Sequence, residues 1–155
     1  MNKIPMTLEG YEKLQVELKK LIRLSDQYRL NNQVRFIDKC KQMPVAYKIS
    51  DIIVSPSTKP ESFGRIAVEA QSMKKPILAS DLGGSKETII DGKSGFLFKN
   101  NNTNSLAELL NSIIEMDKSK LQSIGNEGRK NVLKKFDVEK MCQTTFTEYQ
   151  KLLKN

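Results

Sequence analysis

Two carboxylates and a glycine, Glu61, Glu69 and Gly64, fall where a short apolar run passes through a Ser/Pro loop into residues with helical spacing. Residues 50–57, Ser-Asp-Ile-Ile-Val-Ser-Pro-Ser, read as a buried strand stopped by its loop, and residues 63–73 carry apolar side chains at helical intervals. Glu61 and Gly64 are thereby placed at the carboxyl end of a strand and at a helix N-terminus. There the open N–H groups and the helix dipole favour an anion. Gly64 has no Cβ to hold a ligand oxygen away from the backbone. Glu69 lies five residues further on, roughly 7.5 Å along the helix axis, and its side chain leans back toward the N-terminus. Such a carboxylate can accept two hydrogen bonds from a cis-diol, while Glu61 on the loop can meet hydroxyls or developing positive charge. An isolated pair of glutamates is more often a solvated loop charge and a helix-surface residue. The elements around the pair therefore decide its meaning.

Those elements alternate. The spacing predicts a helix over residues 8–24, capped by Thr7, with Gly10 at its third position and Tyr11, Leu14, Leu18 and Leu21 as its apolar stripe. A strand over 34–37, a short helix over 45–49 and a strand over 51–54 follow, then the site helix over 63–72. Next come a strand over 77–79, a helix over 85–89, a turn at Asp91-Gly92 and a strand over 95–98. Thr103 or Asn104 is expected to cap a helix over 105–116, and two further helices cover 121–134 and 138–153. This order implies an α/β fold, a parallel sheet flanked by helices with right-handed crossovers. Gly83 and Gly84, after the strand at 77–79, either let a ligand approach the backbone or only make the turn into the next helix.

In this setting the chain resembles the donor-binding domain of retaining nucleotide-sugar glycosyltransferases with the GT-B fold. The residues that carry the likeness begin with Val34-Arg35-Phe36-Ile37, the run from Met43 through Ile52, and the Glu61 to Glu69 pair. They continue through Lys75-Pro76-Ile77-Leu78-Ala79-Ser80, Gly83-Gly84-Ser85-Lys86-Glu87-Thr88 and Asp91-Gly92-Lys93-Ser94-Gly95-Phe96, and close with Gly128-Arg129 and Phe136. The resemblance implies a Rossmann-like parallel sheet, the C-terminal half of such an enzyme, lacking its first strand. It implies that Glu61 is the catalytic-side carboxylate touching the donor sugar, and that the backbone at Phe63 and Gly64 faces sugar and diphosphate. Glu69 would hold the ribose, with Ser62 and Arg65 also lining the donor. No cofactor and no metal are expected beside the nucleotide-sugar itself.

The same resemblance marks what is missing. Family members carry an N-terminal acceptor domain across a cleft, and an opening strand and loop that supply an Arg and a Lys to the diphosphate. Neither is found here, so a separately encoded N-terminal partner is an expected requirement for transfer, and an inactive truncated remnant is the alternative. Arg65 and Lys59 are candidates to replace the lost cations, although each is more often an ordinary exposed charge. Residues 1–24 are read as an N-terminal helix and 25–155 as the donor-binding domain. The opening Ile4-Pro5-Met6-Thr7, with Gly10, Leu14 and Glu17-Leu18, also resembles the start of Gre-type transcript-cleavage factors. Nothing after Arg23 continues that pattern, because no acidic hairpin tip follows and Pro44, Pro56 and Pro60 interrupt any long second helix.

Composition narrows the classes further. The chain has 155 residues, 38% of them hydrophobic, which suits one domain with a single core. With no histidine, neither a Ser-His-Asp site nor a His-ligated zinc can be built. Cys40 and Cys142 are far apart and outside any CxxC, so free thiols are expected, Cys40 as a small buried one. No leader and no long apolar stretch are apparent, and a cytoplasmic protein, peripheral at the inner membrane face at most, is expected. Twenty-six Lys and Arg against eighteen Asp and Glu give a formal charge of +8, which favours anionic partners. The cluster at Arg129, Lys130, Lys134 and Lys135 is read as a solvated helix face, with an anionic membrane as the sharper alternative. No RNA-reading aromatic motif accompanies it, which speaks against nucleic acid.

Overall fold

Ile77, Leu78, Ala79 and Ser80 are enclosed at every position and form β2 (Ile77–Ser80), the middle strand of a three-stranded sheet. A parallel strand covered on both faces reads as a continuous apolar run, and this one does. The computed structural model describes residues 7–37 and 40–153. β1 (Ile53–Ser55) and β3 (Phe96–Phe98) lie on either side of β2, both parallel to it, with Ile53 opposite Ile77 and Leu78 opposite Phe96.

Side chains alternate across β2, and the two faces build two cores where a single one was expected. Ile77 and Ala79 pack with Tyr47 of α2 (Met43–Ile49), Ala67 and Ala70 of α3 (Arg65–Ser72) and Ile89, just after α4 (Ser85–Thr88). Leu78 turns the other way, onto Phe98 and Ile113 of α5 (Thr103–Ile114). Asn102 is the residue that caps α5, accepting from the Ser105 N–H at 2.9 Å, in place of the expected Thr103 or Asn104. Its extended backbone, just before the first helical residue, puts the amide oxygen under the first turn, whereas Thr103 and Asn104 already lie inside the helix.

α6 (Lys118–Lys135) lies against α3 through two glycines. A Cβ on Gly125 would stand 2.1 Å from the Lys74 carbonyl oxygen, and one on Gly128 would stand 3.0 Å from Gln71 Cγ and from the Ser94 carbonyl oxygen. Beneath that contact Gln71, Thr88 and Asn131 form a buried polar cluster. Gln71 donates to the Ala67 and Thr88 carbonyls at 3.1 and 2.9 Å, and Asn131 donates to Gln71 Oε1 and to the Thr88 carbonyl at 3.0 and 2.9 Å. Arg129 donates to the Ser72 carbonyl, which takes it out of the basic cluster in which it falls in the sequence. α3 ends with the Lys75 N–H on the Ala70 carbonyl and the Lys74 N–H on that of Gln71, with Lys74 left-handed at φ +58° and Pro76 following. α7 (Val138–Leu153) closes the chain without a buried residue.

Contacts divide the chain into two units, Met1–Lys41 and Gln42–Asn155. In the first, α1 (Leu8–Gln27) starts as expected, with Thr7 Oγ1 accepting from the Gly10 N–H at 3.1 Å. The strand expected over residues 34–37 is absent: the segment has no ladder partner among the described residues, and the Val34 N–H instead closes a turn on the Leu30 carbonyl at 2.8 Å. Val, Phe and Ile supply β propensity there, and propensity without a neighbouring strand leaves N–H and C=O groups unpaired. Cys40 is exposed, contrary to the buried thiol expected, because the strand that would have enclosed it does not form.

Candidate functional site

The loop leaving β1 and the loop leaving β2 meet at the carboxyl edge of the sheet. The Gly84 N–H donates to the Glu61 carbonyl at 2.8 Å. A Cβ on Gly83 would stand 2.6 Å from the Glu61 carbonyl oxygen, and one on Gly84 would stand 2.4 Å from the carbonyl carbon of Phe63. These glycines therefore admit the neighbouring loop itself, a role that neither sequence reading assigned them. Gly64 has φ +72°, a left-handed conformation that disfavours any Cβ, and its own Cβ direction faces the Ser85 backbone nitrogen at 3.3 Å. No side chain caps α3 at this point, so its first N–H groups are left for another acceptor.

Each predicted carboxylate is tethered. Glu61 is exposed on its loop, and its Oε1 accepts from the Ser57 hydroxyl at 2.5 Å. Glu69 is half-buried on α3; Oε2 accepts from the Tyr47 hydroxyl at 2.9 Å and Oε1 from Arg65 Nη2 at 3.0 Å. A carboxylate offers about four lone-pair positions, so two remain on Glu69 after these bonds. Burial, and then the hydrogen bond to Glu69, push the Tyr47 phenol up to about 12, so it stays a donor at neutral pH. Ser62 is exposed on the loop between the two glutamates. Phe63 sets its ring edge-on against Phe136 with centroids 5.5 Å apart, pinning the loop to the end of α6. Arg65 is exposed and already paired with Glu69, and Lys59 is exposed.

Three residues were given no role at the site from the sequence. Tyr47, Ser57 and Phe136 each hold a candidate residue across 22, 4 or 73 positions of chain. A tyrosine on a mostly apolar helix is the one usable signal, since a buried phenol needs a partner for its hydroxyl. Among the described residues no three His, Cys, Asp or Glu side chains gather in a way that could hold a metal ion. No described helix is long and apolar enough to cross a membrane.

A parallel sheet whose strand-exit loops converge on an uncapped helix start belongs to the open α/β class, in which ligands sit at the carboxyl edge. The chain belongs to the glycosyl transferases group 1 family, whose model matches residues 4–131. That match takes in the opening residues with the Gre-type likeness and starts well before Val34, the first residue that carries the resemblance in the sequence. A capsular polysaccharide biosynthesis glycosyltransferase from Staphylococcus aureus is 30% identical over 108 residues, covering 70% of this chain and 28% of that protein. HepE from Anabaena, solved in complex with UDP and glucose, superposes with a TM-score of 0.82 at 30% identity, over 88% of this chain and 37% of HepE. The C-terminal domain of a group 1 glycosyl transferase from Francisella tularensis aligns with a TM-score of 0.67 at 29% identity, over 77% of this chain and 62% of that one. The fold is thus that of GT-B glycosyltransferases, and the chain spans between a quarter and two-fifths of the length of the first two relatives.

Proposed function

We propose that this chain binds a nucleotide-sugar at the carboxyl edge of its sheet, as the donor half of a retaining glycosyltransferase acting on a glycan or lipid-linked acceptor. The diphosphate lies on the uncapped start of α3, where the dipole and the free N–H groups favour it. Glu69 takes the ribose diol on its two remaining lone-pair positions, and Glu61 meets the sugar. Transfer needs a dry cleft that also presents the acceptor, which a donor domain alone does not build. Turnover on this reading therefore requires an acceptor-binding domain.

The observation that carries the reading is the Glu69 carboxylate, fixed by Tyr47 and Arg65 one turn from a helix start with no side-chain cap. A carboxylate already oriented loses little freedom when a diol docks, which suits recognition rather than a free surface charge. UDP-glucose is the first donor to test, because HepE was solved with UDP and glucose. In calorimetric titration, Glu69→Ala is expected to weaken UDP-glucose and UDP alike by about tenfold or more. Glu61→Ala is expected to weaken UDP-glucose while sparing UDP. Circular dichroism checks that both variants fold, and unchanged affinity in both would reject the site.

A further inference from the structure

The apolar stripe of α1 is uncovered. Tyr11, Leu14, Leu18 and Leu21 recur at intervals of three, four and three, the a and d spacing of a two-stranded coiled coil, and each is between 39% and 54% exposed. Ile22 and Leu24 flank that seam and are exposed as well. Its next position, Ser25, is buried where the chain turns back and the Leu30 N–H reaches the Ser25 carbonyl at 2.9 Å. The open seam therefore runs from Tyr11 to Leu21. A helix of 20 residues with such a seam in water is marginal, because nucleation is costly and propensity alone returns little.

The charges of α1 indicate what covers it. Its first half, residues 8–17, has Glu9, Glu12 and Glu17 against Lys13; its second, residues 18–27, has Lys19, Lys20 and Arg23 against Asp26. Glu9 and Lys13 pair with each other at 2.5 Å, while the other six have no ion-pair partner among the described residues. The helix dipole does not account for this split. Only Glu9 lies in the first turn and no base lies in the last, and the dipole acts within those turns. A helix of the same sequence running the other way sets an acidic half against each basic half. Reversal also matches the seam to itself: about a two-fold axis, Tyr11 of one copy faces Leu21 of the other, and Leu14 faces Leu18. On one flank Glu12 comes across from Lys19 of the second copy. On the other, the two Glu17 side chains approach near the axis, each with Lys20 one turn along its own helix. α7 is not such a complement, since Glu139 and Lys140 cancel in its first half and Glu148 and Lys151 in its second.

We propose that α1 is a self-association surface, through which two copies of this chain pair as an antiparallel coiled coil. The proposal is independent of the donor site, none of whose residues lies on α1.

The test is sedimentation equilibrium of the full chain over a concentration series. A monomer–dimer equilibrium is expected, and it should weaken as ionic strength rises, because the acidic and basic halves attract across solvent. Leu14→Glu with Leu18→Glu puts four carboxylates into one seam, at positions exposed in the single chain. That variant should weaken the dimer by about a hundredfold or more, with the amide spectrum of residues 42–137 unchanged. Orientation is read by cross-linking after Cys40→Ser and Cys142→Ser remove the exposed native thiols. In that background a mixture of the Tyr11→Cys and Leu21→Cys proteins should oxidise to the mixed dimer. Tyr11→Cys joined to itself instead would mean parallel helices and overturn the pairing. A chain monomeric at every concentration, or a dimer that survives Leu14→Glu with Leu18→Glu, would overturn the surface. A dimer lost on ending the chain after Asp137 but kept in the leucine variant would assign association to α7 and overturn it as well.

Discussion

Tyr47 is the residue through which core and site are joined. Its ring belongs to the cluster under β2, and its hydroxyl ends on Glu69. Glu61, Gly64 and Glu69 were legible as candidates from their place between a strand exit and a helix start and from the family resemblance around them, since two glutamates alone are more often solvated charges. Tyr47 was not legible as a partner, since a contact across 22 residues depends on how α2 and α3 pack and leaves no periodic trace. The phenol pushed up to about 12 from 10 gives a test with a definite sign. The folded state binds that proton more tightly than the unfolded chain, so its contribution is complete below pH 10 and is lost as pH rises toward 12. Urea denaturation of the wild type over that window should show stability falling. In Tyr47→Phe the fall should be smaller, and the late-titrating component of phenolate absorbance should be gone. An unchanged alkaline profile in Tyr47→Phe would remove the phenol from the account. The same variant is expected to weaken UDP-glucose by a few-fold, since Glu69 keeps only Arg65 to orient it.

At the scale of elements, the order of strands and helices was readable and the contacts between helices were not. The runs at 51–54 and 77–79 marked strands, of which β2 is buried as expected while β1 leaves Val54 exposed at the sheet edge, and the expected helix starts and ends fall within a few residues of those observed. Residues 34–37 had the composition of a strand and form none, because pairing is a property of neighbours. The glycines of α6 carried no such signal. In a sequence, Gly125 and Gly128 only weaken a helix; in the fold they let it approach the Lys74 and Ser94 carbonyls. Gly125→Ala places a methyl 2.1 Å from a backbone oxygen that has no rotamer to yield, so α6 must move off α3. Overpacking of this kind is expected to cost about 1–3 kcal/mol or more in urea denaturation, despite the higher helix propensity of alanine. Gly92→Ala is the matched comparison: nothing lies within 4 Å of its Cβ, and only the left-handed φ of +70° opposes it, about 1–2 kcal/mol. A Gly125→Ala protein as stable as wild type would mean that the close approach of the two helices does not persist in solution.

For the whole molecule the informative contrast is between α3, whose inner face, with Ala67, Ala70 and Gln71, is buried against β2, α4 and α6, and α7, which has no buried residue. The sequence placed a helix over 138–153, and the helix is there with those bounds, because amphipathic spacing states which face is apolar. It does not state whether anything covers that face, and here Met141, Phe146, Tyr149 and Leu152 are all exposed. A helix of 16 residues without tertiary packing is marginal in water, since nucleation is costly and each added residue gains little. Amide exchange should therefore be fast through α7 and slow through β2 and α3, where opening needs loss of the core. Ending the chain after Asp137 keeps Phe136, and with it the ring contact to Phe63. The shortened protein should show the same unfolding free energy in urea as the full chain, to within about 0.5 kcal/mol. Protection in α7 comparable to that of β2, or a clear loss of stability on shortening, would show that its apolar face is covered in solution, by α7 of a second molecule if the effect grows with protein concentration.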